Sequence, residues 1–117
     1  MVDITLWHNP RCSKSREALR LLTEAGASVT ERRYLVDAPT RAEIDALRAA
    51  LGVPAPIDMM RPKEAEFRDM GLSRDSDADT LLNAIVACPK LIERPIAVRG
   101  ARAVIGRPPE DVLALLD

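Results

Sequence analysis

The sequence has few cysteines and no long apolar run, and each shortage excludes a class of protein. Two cysteines, Cys12 and Cys88, are too few for a disulfide framework. No apolar run is long enough to cross a bilayer, and the chain does not open with a basic segment followed by an apolar stretch. We therefore expect a cytoplasmic protein without a membrane partner.

The sequence has no large excess of positive or negative charge. Seventeen Lys and Arg residues are interspersed with eighteen Asp and Glu residues, which gives a formal net charge of -1. Proteins that track a nucleic-acid backbone carry a basic stripe, so nucleic-acid binding is disfavoured. The length of 117 residues, with 47% apolar and 30% charged residues, predicts one globular domain over 1–117.

Hydrophobic periodicity predicts strands alternating with helices. The first predicted elements are a strand over 2–7, a helix over 13–25, a strand over 29–36 and a helix from a Thr40/Glu43 capping box to Gly52. They are followed by a short helical piece near 64–70 and a helix from Asp77 to Pro89. The last predicted elements are a hairpin of 96–98 and 103–105 and a final helix from Pro109 to Leu116. This order predicts an α/β protein of thioredoxin-like (glutaredoxin-like) layout, with a mixed sheet flanked by helices and a helical insertion.

Cys12 lies where the first strand passes into the first helix. The thiolate is the nucleophilic form of cysteine, and a helix N-terminus offers unpaired amide donors and a partial positive charge that favour it. Arg11, Lys14 and Arg16 add positive charge nearby. A buried structural cysteine is a poor match to such polar surroundings, so we predict that Cys12 is a reactive thiol.

His8 and Ser15 flank this cysteine. As an imidazolium, His8 would stabilise the thiolate, and as a proton carrier it would protonate a leaving oxygen; a histidine without a role is the alternative. Ser15 stands where dithiol oxidoreductases carry the second cysteine of Cys-x-x-Cys. An oxidised or covalent state of Cys12 must therefore be resolved from outside, by glutathione or a redox partner.

Arg61, Arg94 and Arg107 are the only arginines followed directly by proline. Proline confines the preceding residue to extended geometry, which fixes the direction in which the arginine leaves the backbone. Three such side chains would suit a tetrahedral oxyanion, because a guanidinium group presents paired N–H donors. Spacing alone leaves an equal alternative, namely surface arginines without a shared ligand.

Over nearly its whole length the chain resembles the glutaredoxin-linked arsenate reductase family of the thioredoxin-like superfamily. The resemblance is carried by residues 8–16 (HNPRCSKSR), Met60-Arg61, residues 91–96 (LIERPI) and residues 106–108 (GRP). It implies that Cys12 attacks the arsenic of arsenate, that glutathione as co-substrate attacks the adduct, and that glutaredoxin reduces the mixed disulfide. We predict no bound cofactor and no metal site.

The same resemblance implies roles for further residues. Arg61, Arg94 and Arg107 would bind the oxyanion, and His8 would tune Cys12. Supporting positions would be Asn9, Ser15 and Pro95, the last with a cis peptide bond beside the active site. Some family members carry Gly-Thr where this chain has Ser13-Lys14, which leaves any contact by Lys14 open.

Three other interpretations stay open from the sequence. Cys88 and Arg94 have the Cys-x5-Arg spacing of tyrosine-phosphatase phosphate loops, but Pro89 and the lack of glycine favour a buried Cys88 instead. Related chains of the superfamily are RNA-polymerase-binding regulators with a Cys-x-x-Cys switch, which Ser15 interrupts. A monothiol oxidoreductase for another substrate would keep Cys12 but would not need the three arginines.

Overall fold

A computed structural model describes residues 2–117, which form two compact units. The sheet unit is the chain up to Asp37 together with Arg94–Asp117, and the helical unit is Ala38–Glu93, inserted between them in sequence. The helical insertion agrees with the sequence prediction, whereas a single domain over 1–117 stays a prediction. Within the described residues, no helix has the length and apolar character needed to span a membrane.

The sheet unit is built on a mixed four-stranded sheet. Its strands are β1 (Asp3–Trp7), β2 (Ser28–Arg32), β3 (Ile96–Arg99) and β4 (Arg102–Ile105), in the order β2-β1-β3-β4. β1 pairs parallel with β2 and antiparallel with β3, and β3 pairs antiparallel with β4. Helix α1 (Ser13–Glu24) supplies the crossover that a parallel pair requires. The predicted mixed sheet is therefore confirmed.

The core of the sheet unit fixes α1 against β1. Alternation along β1 and helical spacing along α1 each bury one apolar face, and the C-terminal 3₁₀ helix Pro109–Leu116 contacts α1 and β4. The buried core residues are Ile4, Leu6, Ala18, Leu22, Ala97, Val112 and Leu115. Full burial of one such Leu or Ile side chain is worth about 1.5–3 kcal/mol. This packing fixes the β1–α1 junction, where Cys12 lies.

The helical unit contains three α-helices and two 3₁₀ turns. They are α2 (Arg41–Leu51), α3 (Ala65–Asp69) and α4 (Ala78–Ala87), with 3₁₀ turns at Pro56–Met59 and Pro89–Leu91. α2 packs against α4. The predicted capping box is present, because Thr40 Oγ1 accepts from the Glu43 N–H and Glu43 Oε1 accepts from the Thr40 N–H. Gly52 ends α2 with a φ of 69°.

The second strand is shorter than predicted. β2 ends at Arg32 rather than at Val36, because the chain turns there. The N–H of Tyr34 donates to the Arg32 carbonyl at 3.0 Å, and the Arg32 guanidinium donates to the carbonyl of Asp37. These local bonds replace the strand ladder that the apolar residues 34–36 predict.

The final helix is a 3₁₀ helix rather than the α-helix that its periodicity predicts. The carbonyls near its end accept from arginines of the β3–β4 hairpin, Leu115 from Arg99 at 2.7 Å and Ala114 from Arg102 at 3.2 Å. The carbonyls left without helical partners therefore find donors in the hairpin.

The capping box gives a stability prediction for the helical unit. Thr40→Ala removes the acceptor for the Glu43 N–H, and we expect it to lower the free energy of unfolding by about 1 kcal/mol in denaturant titration. Thr40→Ser keeps the hydroxyl and is the matched control. Equal stability of the two variants would contradict this account of α2.

Candidate active site

The loop between β1 and α1 presents Cys12 at the N-cap of the helix. Its backbone is extended, with φ -92° and ψ 123°, and its side chain makes no capping hydrogen bond. The Cys12 N–H donates to the Asn9 carbonyl at 3.0 Å, and Asn9 Oδ1 accepts from the Arg11 N–H at 3.0 Å. Cys12 is half-buried. The thiol is thus held at the end of α1 where backbone N–H groups lack helical partners.

The pKa of the Cys12 thiol is lowered from its ordinary value. Partial burial alone would raise this pKa, but the Ser15 backbone N–H, the Arg94 side chain and the Lys14 backbone N–H, which approach the sulfur, outweigh it. The positive charge of Arg94 acts in the same direction. The structure therefore gives the predicted reactive thiol a physical cause.

The positive charge that acts on Cys12 differs from the one expected. The sequence pointed to the side chains of Arg11, Lys14 and Arg16, whereas the charge that lowers the pKa belongs to Arg94. Arg16 Nη1 instead donates to the Pro10 carbonyl at 2.9 Å. Basic neighbours in sequence are thus a poor guide here, since the direction of each side chain decides which of them acts.

The side chain of Arg107 is hydrogen-bonded to the backbone of Arg94. Arg107 Nε donates to the Arg94 carbonyl at 2.9 Å. The peptide bonds to Pro95 and Pro108 are both cis; the first was implied by the family resemblance and the second was not predicted. Gly106 lies tightly against Pro95, since a Cβ on Gly106 would come within 2.8 Å of the Pro95 Cγ. Two of the three Arg-Pro arginines are therefore connected to the Cys12 loop.

His8 is buried, with 3% of its surface exposed, and it contacts Ser15. Its Nδ1 is 2.9 Å from Ser15 Oγ, which also accepts the Asn9 N–H at 3.1 Å. Burial lowers the pKa of His8; Glu31, 3.8 Å from His8 Nε2, opposes this shift, and two nearby arginines reinforce it. The neutral imidazole is therefore favoured over the predicted imidazolium, while the proton-carrier role stays a prediction.

The third Arg-Pro arginine, Arg61, belongs to the helical unit. Its Nε donates to Glu64 at 2.9 Å and its Nη1 donates to Glu93 at 3.0 Å. Its role in oxyanion binding stays a prediction.

Cys88 is also in the helical unit, half-buried at the C-cap of α4. The segment after it forms a 3₁₀ turn and then pairs at Ile92 with Met60. A tyrosine-phosphatase loop must instead point successive amides at one anion. The observed backbone therefore argues against the phosphate-loop interpretation of Cys88 and Arg94.

Sequence reasoning missed two contacts at the site. The approach of Glu31 to His8 depends on the parallel pairing of β2 with β1, in which Leu6 lies opposite Glu31, and residue spacing does not reveal that register. The contact of Gly106 with Pro95 could have been predicted, because a glycine at a strand end often marks close approach of another chain segment.

The sequence matches a known protein family. The model of the ArsC family matches residues 7–115. The chain belongs to the ArsC family. The arsenate reductase of Neisseria meningitidis is 41% identical to it over 117 residues, which cover 99% of this chain and all of the relative. The arsenate reductase of Escherichia coli is 34% identical over 117 residues, covering 99% of this chain and 82% of the relative.

A solved structure in this family extends the likeness to the backbone. The arsenate reductase from Vibrio cholerae matches with a TM-score of 0.93 and 40% identity, covering 97% of this chain and 98% of that structure. The thioredoxin-like fold and the family membership predicted from the sequence are therefore confirmed.

Arg94 provides the first test of this site. In a Cys88→Ser background, we expect Arg94→Gln to raise the pKa of Cys12, because the thiolate loses a charged hydrogen-bond donor. The measurement is the pH dependence of Cys12 alkylation. Arg16→Gln is the matched control, because Arg16 is absent from the groups that lower this pKa. Equal pKa values in both variants would contradict the assignment.

His8 predicts how stability depends on pH. Its folded-state pKa lies below its ordinary value of 6.5, so the unfolded chain binds the proton more readily and stability is lost as pH falls below that value. We expect His8→Gln to lose less unfolding free energy than the wild type between neutral pH and about pH 5, in denaturant titrations. Parallel losses in the two proteins would show that His8 does not carry this dependence.

Proposed function

We propose that this protein is an enzyme that reduces arsenate to arsenite, with glutathione and glutaredoxin as the electron donors. The observation that supports this most strongly is the lowered pKa of Cys12, which the nearby α1 amides and Arg94 cause. Membership of the ArsC family and the names of the relatives support arsenate as the substrate. Glutathione and glutaredoxin come from the resemblance described above.

In the first step of the proposed cycle, the Cys12 thiolate attacks the arsenic atom of arsenate. A sulfur–arsenic bond forms and one arsenic–oxygen bond breaks, and the departing oxygen takes up protons and leaves as water. The lowered pKa of Cys12 favours this step, because only the thiolate is a competent nucleophile. His8 is proposed to supply a proton to the departing oxygen, as a neutral imidazole that gains protons from solvent.

In the second step, the thiolate of glutathione attacks the Cys12 sulfur of the adduct. A disulfide forms between Cys12 and glutathione, the electron pair of the sulfur–arsenic bond stays on arsenic, and arsenite leaves. A glutaredoxin thiol then attacks this disulfide and restores Cys12. Ser15 makes an external thiol necessary, because it occupies the position of a resolving cysteine and is fully buried against His8.

Arginines are proposed to bind the oxygens of the substrate. Arg94 is proposed as the first of them, because its side chain is close enough to the Cys12 sulfur to lower the pKa of the thiol. Arg107 is proposed as the second, because its Nε donates to the Arg94 carbonyl and so places its guanidinium group beside the segment that carries Arg94. Arg61 is proposed as the third on the strength of the family resemblance.

The cellular setting follows from the donors. Glutathione and glutaredoxin keep thiols reduced in the cytoplasm, so we propose a cytoplasmic enzyme whose partners are arsenate, glutathione and glutaredoxin. No nucleic acid, membrane, metal or bound cofactor takes part in the proposed cycle.

The function is tested by measuring arsenite produced from arsenate in the presence of glutathione and glutaredoxin. We expect the wild type and Cys88→Ser to be active. Cys12→Ser should lose at least about a thousandfold in rate, because the nucleophile is removed.

Omission of glutathione is the control for the proposed donor and should abolish turnover. Activity in Cys12→Ser, or an inactive wild type, would contradict the proposal. An active Cys12 enzyme that ignores glutathione would leave the arsenate chemistry intact and contradict only the donor.

A further inference from the structure

His8 is a buried imidazole with a polar neighbour at each ring nitrogen. Its Nδ1 lies 2.9 Å from Ser15 Oγ, and its Nε2 lies 3.8 Å from Glu31 Oε1. The second distance is longer than a direct hydrogen bond and within the range of an ion pair, so Glu31 acts on His8 through its charge. The Glu31 side chain is 37% exposed, whereas that of His8 is 3% exposed. The carboxylate therefore reaches solvent and the imidazole hardly does.

The backbone of the sheet unit places Glu31 beside His8. β2 pairs parallel with β1, and Glu31 lies opposite Leu6 in that register. The His8 N–H donates to the carbonyl of Arg32, the residue after Glu31, at 2.8 Å. Imidazole and carboxylate therefore leave neighbouring, hydrogen-bonded segments, and the distance between them is set by the sheet as well as by side-chain rotation.

The carboxylate favours one tautomer of the neutral imidazole. An ionised carboxylate accepts hydrogen bonds and cannot donate them, so its charge favours the form of His8 that carries the proton on Nε2. Nδ1 is then an acceptor, to which the Ser15 hydroxyl donates while its oxygen accepts the Asn9 N–H at 3.1 Å. Ser15 belongs to the first turn of α1, and its backbone N–H approaches the Cys12 sulfur. Glu31 is thus connected to the Cys12 loop through two side chains.

The protonated form of His8 needs a counter-charge. Burial lowers the pKa of His8, and the positive charges of Arg33 and Arg16 lower it further. Among residues 2–117, Glu31 is the one negative group that acts on the imidazole and opposes these effects. Arg33 Nη2 lies 3.4 Å from the same Glu31 oxygen and competes for it. Since a buried charge without a partner is strongly disfavoured, the amount of imidazolium depends on Glu31.

We propose that Glu31 is a positioning residue for His8, which keeps one imidazole proton on Nε2 and supplies the counter-charge for the imidazolium that protonates the departing oxygen of arsenate. The inference rests on the proposed function, in which His8 is the proton carrier. In each turnover the imidazolium gives one proton to the departing oxygen and regains one from solvent, while Glu31 stays ionised. A purely structural ion pair would leave the turnover rate unchanged.

The first measurement is an NMR titration of the imidazole, which reports on His8 alone because the chain has a single histidine. Glu31→Gln keeps the size of the side chain and removes its charge, and we expect it to lower the titration midpoint by roughly one pH unit. Arg33→Gln should raise the midpoint, because it removes a positive charge and a competitor for Glu31. Glu24→Gln is the matched control, since this exposed glutamate pairs with Arg20 and is absent from the groups that act on His8.

The second measurement is kcat for arsenate as a function of pH. Above the titration midpoint, the imidazolium fraction falls about tenfold for each pH unit. We expect Glu31→Gln to lower kcat by about three- to tenfold near neutral pH with little change in KM, the smaller loss applying where a weaker base is also a stronger acid. Glu31→Asp keeps the charge and should retain more activity than Glu31→Gln.

Equal midpoints in Glu31→Gln and Glu24→Gln would overturn the inference, and so would a lowered midpoint with an unchanged kcat. Either result leaves the proposed function standing. Should Glu31→Gln fail to fold, Arg33→Gln decides: a raised midpoint supports the inference and an unchanged one overturns it. A wild type that reduces no arsenate would instead overturn the proposed function. The titration alone then decides whether Glu31 positions His8: a lower midpoint in Glu31→Gln than in Glu24→Gln supports it, and equal midpoints overturn it.

Discussion

The lowered pKa of the Cys12 thiol depends on groups from two parts of the chain that are far apart in sequence. The Ser15 and Lys14 amides come from the first turn of α1, and the Arg94 side chain comes from the segment before β3. A hydrogen bond to a charged group is worth about 1.5–3 kcal/mol, whereas a helix terminus contributes about 0.3–1 kcal/mol at an exposed site. Groups directed at the sulfur, rather than the helix dipole alone, therefore lower the pKa of this thiol.

The rest of the sheet unit holds those donors in place. Burial of Ile4 against Ala18 and Leu22 fixes α1, and with it the two amides. The contact of Gly106 with Pro95 and the bond from Arg107 to the Arg94 carbonyl fix the segment that carries the Arg94 side chain. The pKa of the Cys12 thiol thus depends on core packing as much as on the residues that approach the sulfur.

Sequence periodicity predicted most elements, because burial patterns and caps are local. These local patterns predicted the Thr40 capping box, the end of α2 at Gly52 and the order of strands and helices. The position of Cys12 at the start of α1 was predicted because strand, turn and helix start adjoin it, and its reactivity stays a prediction. The action of Arg94 on Cys12 was not readable from spacing, since it requires the antiparallel pairing of β3 with β1. The lowered pKa of His8 could not be predicted from the sequence either, because burial is its main cause.

The central claim is that Cys12 forms a covalent bond with arsenic and is then released by an external thiol. Its most direct test is a single turnover with arsenate and glutathione but without glutaredoxin, followed by mass spectrometry of the cysteine peptides. The account predicts one arsenite per protein, glutathione bound through a disulfide to Cys12 and a free Cys88, with no modification when arsenate is omitted. Arsenite released with Cys12 unmodified, or with a disulfide between Cys12 and Cys88, would contradict it.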